Sequence, residues 1–138
     1  MLSADSPAYF PLLIKSLLLT PLQNAPETEI VSDGLMRYTY RDFDTRLKTL
    51  ASGLSRHGIG HGDVVAVMDW DTHRYFECFF AVPMLGAVLH TVNIRLAPAQ
   101  IAYTIDHAED DVILVHPDFL PLMEEVMPLV KRDVRLIL

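Results

Sequence analysis

The sequence predicts an α/β fold, an open and mostly parallel doubly wound sheet. Three observations carry that reading. From Thr39 onward helical and strand patterns alternate in the order α-β-α-β-α-β-α-β, and such alternation implies parallel strands joined by right-handed helical crossovers. The runs at 63–69 (DVVAVMD) and 112–115 (VILV) are apolar at nearly every position, as strands covered on both faces are. Helix start signals, Thr39 and Pro98 among them, stand where the helical patterns begin.

The first 27 residues read as a helix and a loop, residues 28–38 as a hairpin, and 39–138 as the alternating unit. Phe10 to Leu19 (FPLLIKSLLL) has the look of an amphipathic packing helix. It is short of the ~20 apolar residues a bilayer span takes, and Lys15 interrupts it. Residues 1–9 hold Asp5 and no Lys or Arg, so the basic start of a signal peptide is missing. TPLQNAPE at 20–27, with two prolines, reads as a loop. Thr28–Val31 and Leu35–Tyr38 flank Ser32-Asp33-Gly34 as a hairpin does.

Thr39 is placed to cap a helix, with Asp42 in the position of a capping-box acid. Phe43, Leu47, Leu50, Ala51 and Leu54 then fall on one helical face. Asp42–Arg46 and Asp44–Lys48 are spaced to pair on the wet side, and Gly58 ends the helix. The strand at 63–69 leads to a helix from Asp71 or Thr72 to about Leu85. Tyr75, Phe76, Phe79, Phe80 and Val82 make that helix apolar on most sides, which predicts deep burial. Pro83 shortens its end, and Gly86 releases the chain into the strand Ala87–Val92. Pro98 suits the first position of the next helix, with Ile101, Ala102 and Ile105 facing inward. A strand at Val112–Val115, a helix from Pro117 to about Val130 and a strand at Val134–Leu138 complete the order. The sequence closes inside a strand pattern (VRLIL), so we expect this unit to belong to something larger.

Composition sets outer bounds. The 138 residues are 51% hydrophobic and 21% charged, enough for one domain with a real core. Eleven basic against eighteen acidic residues leave a net charge of −7, which argues against nucleic acid and anionic membrane as partners. The single cysteine, Cys78, allows no internal disulfide, and a cytoplasmic setting is expected.

Few residues invite chemistry. Gly58-Ile59-Gly60-His61-Gly62-Asp63 is glycine-rich, but it follows a helix and precedes a strand, the reverse of a dinucleotide-binding turn. None of Lys15, Lys48 and Lys131 follows a glycine or precedes Ser or Thr, so no nucleotide-triphosphate loop is read. His57 and His61 have metal-ligand spacing, but the intervening glycines break the helix that spacing needs. The run Asp106-His107-Ala108-Glu109-Asp110-Asp111 lacks the alternating ligands and central glycine of a calcium loop and reads as a solvated helix end. Cys78, among phenylalanines, reads as an inert core thiol with a raised pKa. One site-like pattern is left. Open α/β sheets gather ligands at the carboxyl ends of their strands, and there stand Trp70, Asp71, His90 and Asn93. No catalytic, cofactor-binding or metal-ligating residue is assigned.

Four stretches taken together resemble the start of the acyl-CoA synthetases of the adenylate-forming, AMP-binding superfamily. They are Tyr38–Phe43, then Leu54 with Gly60–Ala66, Gly86–Leu96, and Ile101–Asp110. The third is most similar to the medium- and long-chain fatty-acid branch. The resemblance covers about Ile14 to Leu138. It implies an α/β subdomain, the N-terminal portion of a larger adenylate-forming domain. The parent enzyme would use ATP, Mg²⁺ and coenzyme A on a fatty acid or other carboxylate. The family's phosphate loop and nucleotide contacts fall after the matched part, so none of them maps onto this sequence. The expectation is a structural, non-catalytic segment that homo-oligomerises. A stand-alone, non-catalytic α/β binding or dimerisation module is the alternative.

Overall fold

The structure is a computed structural model and describes residues 12–138. A 3-10 turn, Ile14–Leu18, runs directly into helix α1, Leu19–Asn24. Residues 20–24, expected as loop, are therefore helical. Pro21 lies in the first turn of α1, where no intrahelical amide is required of it. Of the predicted packing helix, residues 10 and 11 lie outside the described residues.

Strands β1 (Glu29–Ser32) and β2 (Met36–Thr39) pair antiparallel as the expected hairpin. Asp33 and Gly34 turn it with φ of 51° and 67°, a left-handed conformation that Asp and Gly tolerate best. Helix α2 follows at Tyr40–Arg56 with the predicted capping box. The Thr39 hydroxyl accepts from the Asp42 amide at 3.1 Å, and the Asp42 carboxylate accepts from the Thr39 amide at 2.9 Å. Asp44 and Lys48 pair at 2.5 Å. The expected Asp42–Arg46 pair does not form. Asp42 is held in the cap, and Arg46 reaches across to Glu77 of helix α3 (His73–Met84).

The sheet holds β3 (Val64–Met68), β4 (Val88–Thr91), β5 (Val112–Val115) and β6 (Arg135–Ile137) in the order β4-β3-β5-β6. All three neighbouring pairs are parallel, as the alternation predicted. Helices α4 (Pro98–Ala108) and α5 (Leu120–Val126) complete the wrapping. Period-two alternation along the strands sorts the core into two layers. Ala66, Met68, Ile113 and Val115 pack with Ile101, Ile105, Met123 and Val126 of α4 and α5. Val65, Val67 and Val112 pack with Leu54 of α2 and with Cys78 and Val82 of α3. Helices thus lie on both faces. A third cluster ties the hairpin to α2 and α3 through Tyr38, Phe43, Leu47 and Phe80.

Two helices depart from expectation. Residues 117–130 form no single helix: 3-10 turns at Pro117–Phe119 and Met127–Leu129 flank α5. Pro128 has no amide to offer the carbonyl four residues back, so the α pattern stops ahead of it. Helix α3 is not buried all round. Phe76 and Phe79 are 40% and 41% exposed, while the charged Glu77 is buried. Thr72 occupies its N-cap position, but its hydroxyl donates to Asp69 at 3.1 Å and caps nothing. Among the described residues no helix is long and apolar enough to cross a membrane.

Candidate functional site

Strand β3 feeds α3 and a neighbour on one side; β5 feeds α5 and a neighbour on the other. The connections part between these two strands, and in open α/β sheets ligand crevices form at such a switch point. The loops there are Asp69-Trp70-Asp71 and His116-Pro117-Asp118. Beside them a cleft of about 460 Å³ opens on the α2/α3 face, between Leu50 and Leu54 of α2, Cys78 of α3, and Val67, Leu114 and Ile137 of the sheet. That volume lies within the range of small-molecule pockets.

The polar end of the cleft holds Asp69, Arg74, Glu77 and His116. Each carboxylate there is already engaged. Asp69 accepts from the Trp70 amide at 2.7 Å and from Thr72, with Arg74 Nε 3.5 Å away. Glu77 takes the Arg46 guanidinium at 2.5 and 3.4 Å, and that guanidinium also lies 5.7 Å from the Tyr38 ring centre. His116 Nδ1 accepts from the Asp118 amide at 3.2 Å. Burial pushes the Cys78 thiol up to about 12, the inert thiol the sequence suggested. Burial also raises Tyr38 and lowers His73.

The strand-end residues divide among several places. Trp70, 48% exposed, donates from Nε1 to Asp118 at 2.8 Å and leans on Phe119, ring centres 4.7 Å apart. Asp71 lines a smaller pocket of about 200 Å³ with Tyr38, His73 and the hairpin. His90 lies in β4 opposite Ala66, on the α4 side, with Nδ1 2.8 Å from the Asp110 carboxylate. Asn93 accepts from the Arg95 amide at 3.0 Å and closes its own turn.

The acidic run at 106–111 corrects the expectation of a solvated helix end. The Lys131 and Arg132 amides both donate to one Asp106 carboxylate oxygen, at 3.0 and 3.3 Å. Asp110 is fully buried against His90, and Asp111 accepts from the Val64 amide at 2.9 Å. Three carboxylates thus tie α4 to β4, to β3 and to the loop before β6. The Arg46–Glu77 and His90–Asp110 pairs join residues 31 and 20 positions apart, and no local pattern announces them.

The glycine turn does not fit a nucleotide phosphate. Gly58 φ is +79° and its amide donates to Ser55. The amides of Ile59, Gly60, Gly62 and Asp63 donate to Leu54, the Asp63 side chain, Gly86 and Gly60. Amides engaged within the fold cannot cradle an anion.

The sequence model of the AMP-binding enzyme family matches residues 20–137. The chain is 48% identical over 90 residues to a long-chain-fatty-acid–CoA ligase of Thermus thermophilus, covering 65% of this chain and 17% of that protein. It is 38% identical over 106 residues to a medium-chain-fatty-acid–CoA ligase of Ectopseudomonas oleovorans, covering 75% and 19%. A 3-methylmercaptopropionyl-CoA ligase of Ruegeria pomeroyi is 34% identical over 134 residues, covering 94% and 25%. The fold is similar to that of the anthranilate CoA ligase AuaEII, with a TM-score of 0.78 at 23% identity over 99% of this chain and 27% of that one. It is also similar to the N-terminal domain of FACL13 from Mycobacterium tuberculosis, with a TM-score of 0.77 at 20% identity over 88% and 32%. The chain spans between 17% and 25% of the length of the three curated ligases. With more than half of its residues matched, the chain belongs to the AMP-binding enzyme family.

Proposed function

We propose that this chain is the N-terminal portion of the large domain of an ATP-dependent fatty-acid–CoA ligase, and that the portion itself is structural. The observation that carries this reading is the match of residues 20–137 to the AMP-binding family. The ligase names of its relatives give the reaction class. In the parent protein a carboxylate oxygen attacks the α-phosphorus of ATP and pyrophosphate leaves. The thiol of coenzyme A then attacks the acyl carbon and AMP leaves. Mg²⁺ would offset the charge of the phosphates.

The residues described here serve that chemistry as scaffold. The turn most like a phosphate loop has its amides engaged within the fold, and the carboxylates at the switch point are paired. The parent would work in the cytoplasm and associate with a second copy through apolar surface. The exposed Leu17, Leu19, Phe76 and Phe79 around α1 and α3 favour that association.

The test is fatty-acid-dependent ATP–pyrophosphate exchange. The 138-residue chain is expected to give the blank rate, and a polypeptide extended to the relatives' length is expected to exchange label. Exchange by the short chain would overturn the structural reading. An inactive extended protein, folded and tested across short, medium and long acids, would overturn the ligase reading.

A further inference from the structure

We draw no further inference here: the strongest candidate, the pocket of about 200 Å³ between the β1–β2 hairpin and the first turn of α3, rests on a helix N-terminus and two carboxylates, Asp33 and Asp71, and the unpartnered Tyr38 hydroxyl beside it is buried away from any molecule the pocket could admit, so nothing in the structure points to a ligand there.

Discussion

The Asp110 carboxylate, with no exposed surface, lies 3.0 and 2.8 Å through its two oxygens from Nδ1 of His90. It joins the turn after α4 to an edge strand it does not neighbour in the sheet. A buried carboxylate stripped of its partner is costly, typically by about 3–5 kcal/mol. His90→Ala should therefore lower the urea-unfolding free energy by about 3 kcal/mol, somewhat eased by the partial exposure of the ring. Asp110→Asn should cost less, because a neutral amide oxygen still accepts from the ring. A His90→Ala protein as stable as the parent would show that the pair contributes nothing.

Arg46 and Glu77 make the second long-range pair, between α2 and α3. Arg46→Met leaves Glu77 buried and uncompensated, with an expected loss of about 3 kcal/mol. Arg46→Met with Glu77→Leu should recover most of that loss, since a packed apolar pair replaces buried ions at little cost. A double-mutant cycle with additive losses would contradict this coupling.

Two glycines should respond with opposite sign. Gly86 has φ +78°, and a Cβ there would meet His61 Cδ2 at 3.0 Å and the His61 Cα at 3.4 Å. Gly86→Ala should destabilise by more than the ~1–2 kcal/mol of left-handed strain alone. Gly53 lies inside α2 with open space around its missing Cβ. Gly53→Ala should stabilise by about 0.5–1 kcal/mol. Thermal melts of the two variants on opposite sides of the parent are the expected result.

Cys78 gives a pH signature. Its thiol titrates at 9.0 when free and is pushed to about 12 by burial. Above pH 9 the unfolded chain therefore holds fewer protons than the native one. Stability from this group is full below pH 9 and is lost progressively as pH rises toward 12. Cys78→Ala should flatten the alkaline fall in the urea midpoint. An unchanged alkaline slope would assign the fall to other groups.

Much of the architecture was legible because local signals and tertiary outcome agree. Thr39 and Asp42 stand three apart and form the capping box they promise; Pro98 opens α4; VVAVM and VILV are parallel strands. The misreadings arise where long-range partners decide. Asp106, Asp110 and Asp111 look solvated in sequence, but the groups that use them are Lys131 and Arg132, His90 and Val64. Helix α3 looks buried all round because composition records apolarity without saying which neighbours exist, and Phe79 is 41% exposed. The candidate site was legible only as a location. The carboxyl ends of β3 and β5 follow from the alternation, while the cleft beside them depends on how α2 and α3 lie across the sheet.

The order of strands in the sheet also sets a timetable for synthesis. Strand β3 is central, yet it is made first, and its two neighbours arrive at different times. Its pairing with β4 joins Val65 to Leu89, whereas its pairing with β5 joins Val65 to Val112. On a ribosome, α2, β3, α3 and β4 can assemble while the other edge of β3 still waits, its amides and carbonyls unpaired. Until β5 emerges, that edge is open to a neighbouring nascent chain. The interval between Leu89 and Val112 is therefore when this fold is most exposed to mispairing, and slow translation there would lengthen the risk.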